Sequence, residues 1–364
     1  MFGILLLNIA AFLLLQLIST VLHEVGHAVA GRILGIRIFS IDIGSGQVVY
    51  EFLFVNIRWR FRVIAYGGLI RGTFTTARFF RTRDFFYKAG GPLANALILA
   101  GCIYLVPWDE QLNSTPLEGF VPFVSLALVN VLMMLLDLFP RMINSAAGKI
   151  PNDGLWLFWK IWRIKQDNIE ANLAARYHYE TDECYTRKDL VGAQKWIDRG
   201  AALFPKDIRL KIAAAHVFYM DKKYPEAMRA YARLVGRNKD NKNLDCLLLN
   251  NLAYNCALTG KPDLLPRADT ASRLALKHDP SIISYKGTRG SVLVGMGRYD
   301  EALDLLHEAM RNSTGRSGRA LNACDIGTAE SRRGNIPEAK KYFSLARKLD
   351  PDCILLGREA GAST

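Results

Sequence analysis

Residues 2–31, FGILLLNIAAFLLLQLISTVLHEVGHAVAG, form the stretch that decides the class of fold. The run from Phe2 to Leu22 carries no charged residue and is long enough to cross a bilayer as a helix. A cleaved signal peptide would instead begin with basic residues and end at a cleavage site. The chain has neither feature, and the apolar run continues to Ala30 past a small ionisable cluster. We therefore expect a transmembrane helix at about residues 3–31.

Two more apolar runs predict membrane spans at about residues 91–107 and 120–140. The loop from Arg32 to Lys88 holds ten basic residues against three acidic ones, whereas residues 108–118 hold acidic residues and no basic one. Loops rich in Lys and Arg stay in the cytoplasm. We therefore expect an integral protein of a cell or inner membrane, with its N-terminus outside and everything after the third span in the cytoplasm.

The loop between the first two spans has the alternation of a β-strand. In residues 48–64, VVYEFLFVNIRWRFRVI, apolar residues from Ile57 to Val63 alternate with an asparagine and three arginines. Tyr66, Gly67 and Gly68 then interrupt the run. This pattern predicts a small β element, at about residues 46–75, on the cytoplasmic face of the membrane. A surface hairpin without function is the alternative.

Amphipathic helices with a repeat follow from residue 165 onward. The repeat is marked by five alanines at separations of 34, 41, 34 and 37 residues, close to the 34-residue period of tetratricopeptide repeats (TPRs). The alternative is an irregular helical domain. We expect a mainly α protein, with a polytopic three-span membrane core over 1–164 and an α-solenoid of helix pairs over 165–364. The marker positions are Ala193, Ala227, Ala268, Ala302 and Ala339, with small, aromatic or proline positions at Pro205, Pro280, Gly290, Tyr299, Ala309, Gly327, Phe343, Ala346 and Pro351.

Charge and cysteine content exclude some classes of protein. The net charge of +13 would suit a nucleic acid or an anionic membrane. The chain has no DNA-reading motif, so we expect the lipid bilayer and not nucleic acid as the partner. Its six cysteines are scattered without a metal-binding or disulfide spacing, which predicts reduced thiols that serve in packing.

The ionisable cluster in the first span reads His23, Glu24, Val25, Gly26, His27. H-E-x-x-H on a helix puts two imidazoles on one face, where both can bind one zinc ion, while the glutamate reaches water at the metal. Ionisable groups in a membrane span are costly and usually functional. Nine residues separate His23 from Arg32, so the site would lie about 14 Å inside the basic edge.

A zinc ion held by two histidines needs a third protein ligand, commonly a carboxylate. Asp109, Glu110 and Glu118 belong to the expected outer loop, Asp137 ends the third span, and Asp153 follows it. We favour Asp153, with Asp137 second. The remaining histidines, His178, His216, His278 and His307, lack metal-ligand spacing and are expected to be surface or packing residues.

Residues 1–160 resemble the site-2 protease family of intramembrane zinc endopeptidases in several separated motifs. His23, Glu24 and His27 match its H-E-x-x-H motif, and residues 66–69 (Tyr-Gly-Gly-Leu) match its glycine turn. Gly91, Pro92 and Asn95 match its G-P-x-x-N, and Asp153 with Gly154 matches its Asp-Gly ligand motif. The chain departs from the family at Asp137, where an asparagine is usual, and in the spacing from Pro140 to Asp153, which is thirteen residues where the family's is short.

The resemblance implies one zinc ion per chain, with His23, His27 and Asp153 as ligands and Glu24 as general base. It also implies that Asn95 holds substrate or stabilises the oxyanion, and that Gly67, Gly68, Gly91 and Pro92 bind substrate. The substrate would be a transmembrane protein cleaved in or near its span. We further expect the strand at 48–64 to pair with the unwound substrate by strand addition.

Two other functions remain open from the sequence. A non-catalytic, membrane-anchored TPR adaptor would use the same spans and repeats, with the histidines making structural hydrogen bonds. A metal transporter would also need intramembrane histidines, but it fits three spans without inverted repeats poorly. In each case the solenoid is expected to bind a cytoplasmic peptide or regulatory protein.

Overall fold

The computed structural model describes residues 2–106, 108, 119–145, 148–237, 241–313 and 315–357. The chain forms two compact units, Met1–Glu180 and Thr181–Thr364. Their boundary lies inside the helix Gln166–Thr186, which begins at the boundary expected from the sequence. The acidic stretch 109–118, with three of the candidate ligands, lies outside the described residues.

Three apolar helices form the frame of the first unit. Helix α1 (Phe2–Ile33) and helix α2 (Phe80–Leu105) are long and apolar enough to span a membrane, and α2 begins earlier than predicted. Helix α3 (Pro122–Leu138) is also apolar, but its 17 residues make it only about 26 Å long. Two of the three predicted spans thus correspond to helices of sufficient length, and the third stays a prediction.

The predicted β element is a long antiparallel hairpin of β1 (Ile36–Phe54) and β2 (Ile57–Phe74). It starts ten residues earlier than expected, and its turn is formed by Val55 and Asn56, both with positive φ. The expectation that the glycine pair at 67–68 interrupts the strand is wrong. Residues 66–69 remain within β2, because Gly67 adopts its positive φ of 74° inside the strand.

The hairpin curls so that β1 is flanked by two parts of β2. Ile41 lies opposite Ile70 on one side and opposite Trp59 on the other. Gly44 and Gly46 have positive φ and permit the sharp change of direction after this segment. The isoleucines of the first half of β1 are buried in a core with residues of α1 and α2, which fixes the sheet against both helices.

Several arginines of the basic loop hold the hairpin together. The carboxylate of Asp42 is almost fully buried and accepts hydrogen bonds from Arg62 at 2.6 and 3.0 Å and from Arg71 at 3.0 Å. Arg60 donates to Glu51 at 2.8 Å. The basic character of this loop therefore has a structural cause in addition to any role in topology.

A second hairpin follows α3. Strands β3 (Met142–Ser145) and β4 (Gly148–Pro151) pair antiparallel, with Met142 opposite Pro151. Short helical segments then run through Asp153–Leu155, Trp156–Lys160 and Ile161–Arg163. The hairpin returns the chain to the end of α3, where the backbone N–H of Asn152 donates to the carbonyl of Arg141 at 3.0 Å.

Consecutive helix pairs make up the second unit, with the first helix of the first pair crossing the unit boundary. The five marker alanines occupy the fourth residue of the second helix in every pair, and all five are buried. This confirms the TPR-like solenoid predicted from the spacing. The helices are α4 (Gln166–Thr186), α5 (Leu190–Leu203), α6 (Ile208–Met220), α7 (Tyr224–Leu234), α8 (Lys242–Leu258), α9 (Leu265–His278), α10 (Ile283–Gly295), α11 (Tyr299–Asn312), α12 (Arg316–Arg332) and α13 (Ile336–Leu349).

Small residues let the paired helices approach each other. A Cβ atom on Gly290 would lie 2.5 Å from Leu306, and one on Gly327 would lie 3.1 Å from the ring of Phe343. The turn inside each of the five pairs holds one left-handed residue, which is Lys188, Lys222, Gly260, Gly297 or Gly334. The six cysteines are free thiols, as predicted.

Candidate metal centre and active-site cleft

Helix α1 brings together the three residues of the H-E-x-x-H motif. His23 and His27 lie on one face of α1 because they are four residues apart, slightly more than one turn, and Glu24 follows His23 directly; all three are at least 95% buried. The histidines predicted to be unrelated to metal make ordinary contacts, such as His216 with Tyr185 and His307 with Tyr342.

Asp153 completes a triangle of ligand atoms. The Nε2 atoms of His23 and His27 are 3.2 Å apart, and Asp153 Oδ2 lies 3.4 and 3.0 Å from them. A tetrahedral zinc ion with bonds of about 2.0–2.1 Å separates its ligands by about 3.3 Å. The donor set and its spacing therefore fit a zinc ion, and this group is the one set of potential metal ligands in the described parts of the chain.

Asp137, the second candidate ligand, is farther from the triangle. Its Oδ2 atom lies 3.8 Å from His23 Nδ1, on the side of the ring away from the other two ligand atoms. Burial would raise the pKa of Asp153, but the charge of His27 and hydrogen bonds from both histidines hold that pKa well below its usual range. Asp153 is therefore ready to act as a carboxylate ligand.

The unusual spacing before Asp153 has a structural explanation. Residues 142–145 and 148–151 pair as strands β3 and β4 after Pro140, so Asn152 and Asp153 return to the end of α3. A Cβ atom on Gly154 would lie 2.1 Å from the carbonyl oxygen of Leu138. Only glycine permits this approach, which explains the glycine of the Asp-Gly motif.

Asn152 connects the elements around Asp153. Its buried side-chain Nδ2 lies 2.8–3.2 Å from the carbonyl oxygens of Leu136, Asp137 and Phe139 at the end of α3. Its Oδ1 accepts from the backbone N–H groups of Arg141 and Leu155, both at 3.0 Å. Asn152 thereby caps the helical turn that carries Asp153 and ties it to α3.

The other nitrogen of each imidazole also has a partner. His27 Nδ1 lies 2.8 Å from the carbonyl oxygen of Tyr87, a hydrogen bond that keeps a proton on Nδ1 and makes Nε2 the nitrogen available to a metal ion. His23 Nδ1 lies 3.1 Å from the amide nitrogen of Asn95, whose Oδ1 has no partner among the described residues. Turning this amide over would let Oδ1 accept from His23 Nδ1, which satisfies both groups.

Helix α2 packs closely behind the histidines. Gly26 of α1 and Gly90 of α2 touch through their backbones, since a Cβ atom on Gly26 would lie 2.4 Å from the carbonyl oxygen of Gly90. A Cβ atom on Gly91 would lie 2.4 Å from His27 Nε2 and 2.5 Å from His23 Nε2. Gly91 therefore leaves room for the two imidazoles.

A cavity of about 320 Å³ lies in front of the triangle. It runs along α1 from Phe12 to His27, a length of about 22 Å, and α3 forms its opposite wall. Glu24 lines it and lies against the backbone of Gly68, where a Cβ atom would be 2.3 Å from Glu24 Oε1. The general base predicted from the sequence thus faces a cleft beside the ligand atoms.

The structure distributes the residues expected to bind substrate over two places. Gly67 and Gly68 line the cavity, within the β2 segment 66–70. Gly91, Pro92 and Asn95 are buried behind the histidines and are not among its lining residues. The strand 48–64 does not line it either, because its first part pairs with residues 57–62 of β2 and not with the cleft.

Three residues of this region were missed by sequence reasoning. Asn152 gave a signal, since an asparagine directly before a short helical turn is a common N-cap. Lys88 lines the cavity, with its Nζ atom 4.0 Å from Asp153 Oδ1. Arg141 lines it too. The two basic residues had no local signal, because they are separated from the motif by many residues in sequence.

Comparison with known proteins relates the chain to one family and one repeat fold. A sequence model of peptidase family M50 matches residues 11–254. A thermophilic TPR protein of Thermus thermophilus is similar in structure at 16% identity and a TM-score of 0.42, over 52% of this chain and 98% of that chain. The comparison with curated proteins gave no match.

Two further solved structures resemble the chain over about half its length. YrrB, a TPR protein with an unusual peptide-binding site, is 18% identical at a TM-score of 0.33, over 54% of this chain and 96% of that chain. BtubC from P. vanneervenii is 12% identical at a TM-score of 0.39, over 51% and 83%.

The match to family M50 covers about two thirds of the chain and includes the H-E-x-x-H motif, α2, α3 and Asp153. Members of this family are zinc metalloproteases of membranes. The chain therefore belongs to peptidase family M50, the site-2 protease family.

Proposed function

We propose that the chain is an intramembrane zinc endopeptidase that cleaves transmembrane or membrane-proximal segments of other membrane proteins. One observation carries this proposal. Two histidine nitrogens and one carboxylate oxygen lie 3.0–3.4 Å from one another, beside a buried glutamate that faces the same cavity. This arrangement suits one zinc ion per chain, with His23, His27 and Asp153 as ligands.

The chain's own residues can carry the proton transfers of peptide hydrolysis. Zinc, when bound, would supply a Lewis acid that polarises the scissile carbonyl and acidifies water. Glu24 would accept the proton of the attacking water on its carboxylate and deliver it to the nitrogen of the leaving amine. The apolar walls of the cleft, such as Leu132 and Met133, would limit access of other water molecules.

Buried residues around the triangle would hold the ligands in position. Asn95 acts on His23 and the carbonyl of Tyr87 acts on His27, each through Nδ1. Asn152 would do the same for the turn that carries Asp153. We assign Asn95 to the positioning of His23 and not to contact with substrate, because its side chain is fully buried behind the ring.

Residues 66–70 of β2 are the better candidate for strand addition. They line the cleft beside Glu24, so an extended substrate segment could pair with their backbone while its carbonyl faces the ligand atoms. They replace residues 48–64 in this role. Gly67 and Gly68 would admit the substrate backbone without side-chain obstruction.

The topology and the partners complete the proposal. We propose three spans, with the N-terminus outside a cell or inner membrane and the TPR unit in the cytoplasm. The concave side of that unit would bind a cytoplasmic peptide or regulatory protein.

The test uses full-length protein in detergent or nanodiscs. We expect one zinc per chain by elemental analysis, and cleavage of a single-span test protein that Glu24→Gln abolishes while zinc is retained. Gly68→Ala should also retain zinc, but cleavage should fall, since the new methyl group would displace the Glu24 carboxylate. Zinc-free protein that retains full biological activity would favour the membrane-anchored adaptor instead.

A further inference from the structure

A second cavity in the first unit adjoins the active-site cleft. Its volume is about 790 Å³, more than twice that of the cleft. Leu69, Ile70, Lys88, Ile150 and Pro151 line both cavities. An extended peptide could therefore pass from one cavity to the other between the edge of β2 and the end of β4.

The second cavity begins directly beside the ligand carboxylate. Asp153 turns Oδ2 toward the histidines, while its Oδ1 lies 4.0 Å from Lys88 Nζ, at the common wall. An extended peptide advances about 3.3 Å per residue. A substrate segment with its scissile carbonyl at the triangle would therefore reach this cavity within a few residues.

Basic side chains outnumber carboxylates in the lining of the second cavity. Among the described residues its one lining carboxylate, Asp84, accepts a hydrogen bond from Trp156 Nε1 at 2.6 Å. Of its basic residues, Arg71 already binds Asp42. Lys160 and Arg163 are exposed, and neither forms an ion pair with any described carboxylate. The basic lining residues are Arg71, Lys88, Lys160 and Arg163.

Lys160 and Arg163, which together we call the cationic rim, lie next to an aromatic ring. The guanidinium carbon of Arg163 lies 4.6 Å from the ring centroid of Trp159, and this contact holds the charge over the cavity. Both residues belong to the short helical segments that follow Asp153, so the cationic rim lies within ten residues of Asp153 in the sequence.

We propose that this second cavity is a substrate subsite for an acidic segment next to the scissile bond. The inference rests on the proposed protease function. Cytoplasmic flanks of membrane spans are usually rich in Lys and Arg. A cationic subsite would therefore disfavour most single-span proteins and select those with Asp or Glu beside the span.

Binding to the inactive full-length protein tests the subsite separately from cleavage. The probes are three synthetic single-span peptides that differ only in four flanking residues, which are Glu, Gln or Lys. Glu24→Gln protein is placed in nanodiscs of neutral phosphatidylcholine, and binding is measured by fluorescence anisotropy. Two partly exposed ion pairs should make the Glu peptide bind about tenfold more tightly than the Gln peptide.

Charge reversal identifies the residues responsible. K160E/R163E should reverse the order of the peptides, and K160Q/R163Q should remove the preference while zinc content stays at one per chain. K165E is the matched control, because Lys165 is an exposed lysine two residues after Arg163 that does not line the cavity. The K165E variant should bind the three peptides in the same order of affinity as the parent protein.

Other results would overturn the inference. Equal binding of the three peptides, or an equal effect of K165E, would exclude a charge-selective subsite. Retention of phosphatidylglycerol that depends on residues 160 and 163, with no peptide preference, would make the cavity a lipid site instead. Cleavage of the three peptides at equal rates would reject the subsite and leave the protease function intact. Charge-selective binding without any cleavage would reject the protease function, and the second cavity would then be a binding site for acidic peptides and not a substrate subsite.

Discussion

Asn152→Ala should weaken zinc binding although Asn152 is not a ligand. The Nδ2 group has two hydrogens for three carbonyl oxygens, so it donates at most two full hydrogen bonds, and Oδ1 accepts two more. Four bonds at about 1 kcal/mol each set an upper limit of about 4 kcal/mol for local stability. Loss of groups that orient metal ligands usually weakens metal binding by about 10–100-fold.

The assay is competition for zinc with a chelator of known affinity, on full-length protein in detergent. Hydrogen exchange of residues 136–155 should accelerate in the same variant, because the end of α3 and the Asp153 turn lose their connection. Asn152→Asp tests whether the N-cap alone holds the Asp153 turn or whether the hydrogen bonds to α3 are also needed. Aspartate is a good N-cap, but its carboxylate would repel the three carbonyl oxygens, so zinc binding should weaken at least as much as in the alanine variant.

Asn8→Ala is the matched control. Asn8 is also buried and makes two similar hydrogen bonds, to the carbonyl of Gly119 at 2.8 Å and from the N–H of Val121 at 3.0 Å. It lies fifteen residues before His23, or about 22 Å along α1. Our reasoning is refuted if Asn152→Ala binds zinc like the parent protein, or if Asn8→Ala weakens zinc binding equally.

Three more perturbations test other parts of the structure. Gly91→Ala should reduce zinc content to less than about one tenth by elemental analysis, because its methyl group would displace both imidazole nitrogens by about 1 Å, against a tolerance of about 0.2 Å. Asp269→Asn should cost about 3 kcal/mol at pH 7 in local stability measured by hydrogen exchange, since it leaves buried Arg289 without its carboxylate. Burial raises the pKa of Asp269, but Arg289 outweighs this effect and holds the pKa below its ordinary value, so the difference should vanish as pH falls through that lowered pKa. Lys222→Gly should raise the free energy of local opening across residues 208–234 by about 0.5–1 kcal/mol and so slow their hydrogen exchange, because it removes the strain of a lysine in the left-handed conformation.

Each of these variants has a control. Gly101→Ala, on the same helix as Gly91, meets no atom within 4 Å and should keep its zinc. Glu338→Gln removes an exposed ion pair and should change stability little at any pH. Gly260→Ala, at the turn equivalent to Lys222, should accelerate exchange. Equal behaviour of a variant and its control would contradict the corresponding argument.

The features predicted well from sequence are those that give a periodic pattern of residues within one segment. The first helix follows from one apolar run, and the H-E-x-x-H spacing is set by the pitch of that helix. The solenoid follows from buried alanines such as Ala193 and Ala339, which recur because each repeat packs its helices in the same way. The β element was recognised from alternation, but its start at Ile36 was missed because Phe39 shifts the phase of the alternation between residues 36–38 and 40–43.

The assignments that needed the structure depend on contacts between distant elements. Asp153 reaches the Nε2 atoms of both histidines, whereas Asp137 approaches only Nδ1 of His23, because the β3–β4 hairpin between the two aspartates returns the chain to the histidines at Asp153. Gly91 and Asn95 lie behind the histidines instead of in the cleft, because α2 crosses α1 at Gly26 and Gly90. The spacing of residues along one helix does not indicate where a second helix crosses it.

The sequence by itself determined that an H-E-x-x-H motif lies within an apolar helix, and that a helical repeat follows. Helical pitch and apolar periodicity act within one segment, so they can be recognised without knowing the fold. Only the tertiary structure decided which carboxylate completes the triangle, that Asn152 holds it there, and which edge of β2 faces Glu24. Those features arise from the packing of α1, α2, α3 and two hairpins, and they exist only once these elements meet.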